Sequence, residues 1–158
     1  MMKKSWKTIL IWVLAALSVG ALAAFFSRSG MKNYESATQQ PPLSPPMWLF
    51  PVVWSILYIL MGIGAGLVTV SSDSQARRKS LNLMVAQLVV NFFWPLFFFN
   101  LQAYGFALLW LLLLWVMVLA MILQMIKVMP LAGLMQVPYL LWLTFALYLN
   151  AGVWILNR

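Results

Sequence analysis

Long uncharged apolar stretches alternate along the chain with short clusters of Lys and Arg. A helix rises ~1.5 Å per residue, so about 20 apolar residues cross a hydrocarbon layer ~30 Å thick. Thr8–Ser27 is one such run. Ser36–Ser72 holds a second, which starts near Pro46 because the residues before it are polar or proline-rich. Ser80–Ile126 is too long for one crossing and breaks at its polar, turn-like cluster, Asn100-Leu101-Gln102-Ala103-Tyr104-Gly105. Val128–Asn157 supplies the last. The pattern predicts an all-α integral membrane bundle of five transmembrane helices in a single domain. The expected spans are about 7–27, 46–70, 80–100, 104–127 and 131–155.

Composition agrees with the pattern. The chain is 65% hydrophobic and 8% charged, whereas a soluble domain is about half apolar and about a quarter charged. Lys3, Lys4 and Lys7 ahead of an apolar run imitate a signal peptide, and Ala21-Leu22-Ala23 resembles a cleavage site. The run exceeds the ~7–15 residues of a signal core, so a retained helix is expected. With no Cys and no His, a disulfide framework, a zinc site and His-ligated haem are all excluded. No metal site and no cofactor are expected.

The net charge of +8 would suggest nucleic acid in a soluble protein. Here the basic residues lie between spans, so they read as topology signals and headgroup contacts, with the lipid bilayer as partner and no nucleic acid. Lys3, Lys4, Lys7, Arg77, Arg78, Lys79 and Lys127 fall on one side; Arg28, Lys32 and Arg158 fall on the other. The asymmetry predicts a multi-pass protein of the cell membrane with a cytoplasmic N-terminus, and with the C-terminus and loop 1 outside.

Loop 1, residues 28–45, is long for a compact bundle. It reads either as a loose connection or as a lid over a cavity. No Asp, Glu, Lys or Arg lies well inside a span, which disfavours ion-coupled transport and retinal chemistry. Hydrolysis also lacks a nucleophile–base pair.

What remains is aromatic and weakly polar. Trp6, Trp12, Trp48 and Trp154 fit an interfacial belt, whereas Trp54, Trp94 and Trp142 sit deeper. Phe50, Trp54, Tyr58 and Gly62 share one face of span 2; Gln87, Asn91 and Trp94 share one of span 3; Tyr139, Trp142, Ala146 and Asn150 share one of span 5. Amides are costly against lipid, so these faces should point inward. They would line an apolar cavity suited to a flat aromatic ligand, unless the amides only join helices. Pro51, Pro95 and Pro138 lie within spans and are expected to bend them. Ala16, Gly20 and Ala24, and Gly62 and Gly66, form small-xxx-small patterns. They serve either a homodimer face or packing within one chain, the second being preferred.

These residues carry a resemblance. Pro41-Pro42-Leu43-Ser44-Pro45-Pro46-Met47-Trp48-Leu49-Phe50-Pro51-Val52-Val53-Trp54, Leu57-Tyr58 and Met61-Gly62 lead it. Asn91-Phe92-Phe93-Trp94-Pro95, Phe98-Phe99, Gly105, and Pro138-Tyr139-Leu140-Leu141-Trp142-Leu143-Thr144-Phe145-Ala146 through Leu149-Asn150 to Trp154 follow in order. The chain resembles the translocator protein family, also called the tryptophan-rich sensory protein or peripheral-type benzodiazepine receptor family, in a bacterial form. The resemblance covers essentially the whole chain. It implies binding of porphyrins, notably protoporphyrin IX, and of benzodiazepine-receptor-type ligands, in a pocket beneath loop 1. Carried over by motif, that pocket would include Trp54, Asn91, Trp94, Trp142, Ala146 and Leu149.

The departures are specific. Tyr34, Glu35 and Gln40 stand where the family often has a Trp-Tyr pair and a Lys. Phe106 replaces a Trp after Gly105, keeping the ring of that contact without its N–H, and Val52 replaces a common Pro. Ala151 and Ile155 occupy the sterol-recognition positions of animal members, so sterol binding is not expected. The expected function is protoporphyrin IX binding with light-driven degradation, Trp54 and Trp142 being the reactive candidates. The alternatives are a passive porphyrin carrier and a ligand-occupancy sensor acting through a partner.

Overall fold

A computed structural model describes residues 2–158, with side chains described from Ser5 onward. Lys3 and Lys4, counted in the charge asymmetry, lie outside the described side chains. All regular structure among the described residues is helical. The helices are α1 (Met2–Ala37), α2 (Leu49–Val70), α3 (Gln75–Pro95), α4 (Tyr104–Val128), α5 (Pro130–Leu134) and α6 (Val137–Leu156). A π-helical turn, Leu96–Asn100, continues α3. The five membrane-spanning units are Ser5–Ala37, Leu49–Val70, Gln75–Asn100, Tyr104–Val128 and Pro130–Leu156.

The helices close a ring. α1 packs on α2 and also on α3 with its π turn; α3 packs on α4; α4 packs on α5 and α6; α5 returns to α2. The small-residue stripes serve the first of these contacts. A Cβ on Gly62 would run into the backbone of Val13, and one on Gly66 into that of Ile9. Trp12 on α1 donates its indole N–H to Thr69 Oγ1 on α2 at 2.9 Å. Without a hydrophobic drive between helices in lipid, this close backbone approach supplies the dispersion contact that holds α1 to α2.

Helix α1 runs well past the expected end at residue 27, to Ala37. Arg28, Lys32 and Glu35 made this segment look like a loop, but they occupy one exposed face. The opposite face is occupied by Gly30, against the backbone of Phe99, and by Tyr34, whose ring lies 5.4 Å from Phe98 and 5.2 Å from Phe99. Asn100 adds a hydrogen bond to the Phe26 carbonyl at 2.8 Å. These contacts on the π turn sustain the helix, and loop 1 contracts to residues 38–48.

Of the three expected bends only that at Pro51 is absent; the fifth span does break, just ahead of Pro138. Pro51 and Pro138 sit in the first turns of α2 and α6, where the missing N–H would have had no intrahelical partner. Pro95 does mark an irregularity, being the last residue before the π turn. The fifth span breaks between α5 and α6. There the buried Gln136 donates Nε2 to the carbonyls of Leu60 at 3.0 Å and Ala132 at 3.2 Å.

Candidate functional site

The close α1–α2 contact runs from Gly66 through Gly62 to Gly20, where a Cβ would run into the Tyr58 ring. Beyond Gly20 the two helices part. The space between α1, α2, α3 and the π turn is a cavity of about 470 Å³. That lies within the ~300–1,000 Å³ common for small-molecule sites.

Phe50, Trp54 and Tyr58, spaced by four on α2, form one wall. Asn91 and Trp94 on α3 form the next, and Phe99 of the π turn closes the top beside Trp94. These five α2 and α3 residues are brought together as the sequence periodicity suggested. Helix α1 supplies the third wall through Leu17, Ser27 and Met31. Sequence reasoning missed these three and Phe99. The available signal was that 17, 20, 24, 27 and 31 follow one helical stripe continuous with the small-residue pattern.

The other expected site residues are placed differently. Tyr139 lies one layer behind the wall, fully buried, with its ring 6.0 Å from Trp54. Trp142 is separated from the cavity by Phe50, whose ring it meets edge to face at 5.9 Å. It lines instead a shallow apolar groove between α2 and α6 with Val53, Pro138 and Leu141. Ala146 and Leu149 are buried on α6, which packs on α4, and neither reaches the cavity wall. Phe106 is exposed, its ring meeting Phe97 edge to face at 4.9 Å and lying tilted 6.0 Å from Trp110. Its neighbours Gly105 and Ala107 take the inward positions on α4, Gly105 against Trp154, so the Phe106 ring turns outward.

A directed chain of hydrogen bonds backs the cavity. Tyr58 donates its hydroxyl to Asn91 Oδ1 at 2.9 Å, Asn91 Nδ2 donates to the Tyr139 hydroxyl at 2.6 Å, and Tyr139 donates to Gln87 Oε1 at 2.8 Å. The chain joins α2, α3 and α6. Trp94 donates its indole N–H to Asn150 Oδ1 at 3.1 Å, and Asn150 donates to the Tyr104 carbonyl at 2.8 Å. The amides therefore join helices, the alternative their spacing allowed. Buried polar groups in lipid must be satisfied internally, and these are.

The indoles divide accordingly. Trp12, Trp94, Trp110 and Trp115 each donate to a protein acceptor. Trp54 lines the cavity, and its N–H has no hydrogen-bond partner among the described residues. A half-buried indole in that position offers a flat face and a free donor to whatever occupies the cavity.

Loop 1 is tied down across the bundle end. The Gln39 N–H donates to Asn157 Oδ1 at 3.0 Å, while Asn157 Nδ2 donates to the Gln39 carbonyl at 2.8 Å. Tyr148 donates its hydroxyl to the Pro42 carbonyl at 2.8 Å, and Thr38 and Tyr104 share a hydroxyl pair at 3.2 Å. Each bond contributes about 1 kcal/mol or less. Met47 brings the end of the loop to the cavity wall.

A profile of the TspO/MBR family matches residues 12–155. The chain is 39% identical over 148 residues to Protein CrtK of Rhodobacter capsulatus, covering 93% of this chain and 91% of that protein. It is 32% identical over 160 residues to the Tryptophan-rich protein TspO of Chlorobaculum tepidum, covering 99% of both. It is also 34% identical over 137 residues to the Translocator protein of Bos taurus, covering 85% of this chain and 81% of that one.

Proposed function

The chain is a multi-pass membrane protein belonging to the TspO/MBR family, and from that premise we propose that its cavity binds protoporphyrin IX or a similar flat tetrapyrrole and promotes its photo-oxidative degradation. The observation that carries this reading is Trp54, an indole on the wall of an aromatic cavity whose N–H is left free by the protein. Benzodiazepine-receptor-type ligands, being flat and mostly apolar, suit the same wall.

The chemistry belongs to the ligand. The porphyrin absorbs the light and passes the excitation to dissolved dioxygen, which adds across a bond of the macrocycle. Both oxygen atoms enter the product, so no outside reductant is consumed. The protein's part is to hold the ring plane beside an electron-rich indole and to keep bulk water away. Trp54 is the residue placed to touch the ligand. Trp142 follows through Phe50 and stands second.

The test is a titration of protoporphyrin IX followed by tryptophan quenching, first in the dark and then under illumination with oxygen present. Saturable dark binding followed by light-dependent loss of the porphyrin spectrum, reduced in Trp54→Phe, supports the reading. Dark binding without accelerated loss reduces the protein to a carrier or a ligand-occupancy sensor. No dark binding removes the tetrapyrrole assignment altogether. A passive carrier further requires access from both membrane faces, whereas the Gly62–Val13 and Gly66–Ile9 contacts close α1 against α2 on one side of the cavity.

Orientation is part of the proposal. The N-terminus and the segments bearing Arg77, Arg78, Lys79 and Lys127 face the cytoplasm, and loop 1 and the C-terminus lie outside the cell membrane.

A further inference from the structure

Four cavity-lining residues are exposed: Ala21 and Ala24 on α1, and Pro51 and Ser55 on α2. The lining residues of α3 and the π turn are buried or half-buried. The exposed four also border the lipid-facing stripes of their helices, Leu14, Ser18 and Phe25 on α1 and Val52, Ile56 and Ile59 on α2. A residue that faces both a cavity and the surroundings marks an opening in the wall. This opening lies between α1 and α2 where they part beyond Gly20, within the membrane-spanning units of both helices.

We propose that the cavity is loaded sideways from the bilayer, through an opening between α1 and α2 framed by Ala21, Ala24, Pro51 and Ser55. This rests on the reading of the cavity as a ligand site. It adds that the ligand reaches the site already dissolved in the leaflet on the loop 1 side. The substrate class is then a flat, membrane-partitioned amphiphile that slides in edge first, with its polar groups held near the headgroups.

Two independent features support the route. Loop 1 is tied across the bundle end by the Gln39–Asn157, Tyr148–Pro42 and Thr38–Tyr104 hydrogen bonds, whereas among the described residues no side-chain hydrogen bond joins the α1 and α2 sides of the lateral frame. The frame is also built of small side chains on both helices, in a chain whose other lipid-facing positions are mostly Leu, Ile, Val and Phe. Ser55 satisfies its hydroxyl on the Pro51 carbonyl at 2.7 Å, so it presents no free donor to passing lipid.

The experiment uses the full chain in vesicles of phosphatidylcholine and phosphatidylglycerol. Ala21→Trp and Ser55→Phe narrow the opening from its lipid side, and Leu43→Trp, on the exposed turn of loop 1, is the comparison. Stopped-flow quenching by vesicle-dissolved protoporphyrin IX should show association and dissociation both slowed about tenfold in the first two variants. Leu43→Trp should leave both rates alone. A substitution that merely filled the cavity would weaken Kd instead. A second probe needs no porphyrin: a lipophilic aryl diazirine in the bilayer should place adducts on the buried lining residues Ser27 and Tyr58, and Ala21→Trp should suppress them. Unchanged adducts in Ala21→Trp, or slowing confined to Leu43→Trp, overturns the lateral route. Suppressed adducts without any porphyrin quenching would leave the route standing and sink the tetrapyrrole assignment.

Discussion

The rings of Phe50 and Trp142 meet edge to face at 5.9 Å, and Phe50 belongs to the cavity wall while Trp142 lies beyond it. Trp54 and Trp142 thus stand in different relations to a bound ligand, although both are aromatic and near the site.

That difference orders their variants. Trp54→Phe should lower the light-dependent loss of protoporphyrin IX several-fold, and Trp142→Phe should lower it less, with dark binding retained in both. Spectral decay under constant illumination measures it. Equal effects would mean that the indole acts through general photochemistry and not through contact.

Asn91 is the node of the hydrogen-bond chain. Asn91→Leu takes the acceptor from the Tyr58 hydroxyl and the donor from the Tyr139 oxygen, which keeps its own bond to Gln87, whereas Tyr58→Phe removes a single bond. Hydrogen bonds between membrane helices average about 0.6 kcal/mol each, so Asn91→Leu should cost on the order of 1–2 kcal/mol and Tyr58→Phe about half of that. Unfolding in mixed micelles of increasing SDS fraction reads both. A smaller loss in Asn91→Leu than in Tyr58→Phe would contradict the node.

Gly62→Ala places a methyl group against the backbone of Val13, which cannot turn aside as a side chain can. Overpacking of this kind costs roughly 1–3 kcal/mol. Gly152→Ala meets the Pro41 ring of loop 1 instead, and the loop can shift. Thermal unfolding in detergent should show the larger drop for Gly62→Ala.

Asn157→Ala cuts both bonds to the Gln39 backbone. Amide exchange at Gln39 should quicken and loop 1 should become open to proteolysis, while the helices keep their protection. A separate change acts in the opposite sense. Leu43 holds a φ of 67° in the turn between Pro42 and Ser44, a region costing a non-glycine residue about 1 kcal/mol. Leu43→Gly should therefore relieve that backbone strain and leave the loop at least as well protected in the same exchange measurement.

The five spans were legible because charge is costly in hydrocarbon, so its absence over a run is a strong signal. The α2 and α3 walls were legible because Phe50, Trp54, Tyr58, Asn91 and Trp94 repeat with the period of a helix. The end of α1 was not. Arg28, Lys32 and Glu35 carry the local signal for a loop, and the reason the helix continues lies in the distant Phe98 and Phe99. Phe106 and Trp142 failed for a related reason. Periodicity tells which residues share a face, but which neighbour that face meets depends on how α4 and α6 are rotated in the ring. Pro51 was misread because α2 begins at Leu49, later than the apolar run suggests, which puts this proline in the first turn.

The chain from Tyr58 to Gln87 has a polarity, since every member donates toward the bundle interior. Tyr58 has given its one proton to Asn91, so its oxygen retains only lone pairs for a neighbour at the cavity wall. Trp54, one turn along the same helix, holds only a proton to give. On the proposed reading the two residues would form a complementary couple, a guest settling best with a donor toward Tyr58 and an acceptor toward Trp54. A guest turned end for end would set lone pair against lone pair and proton against proton, and such a wall would select one direction of entry.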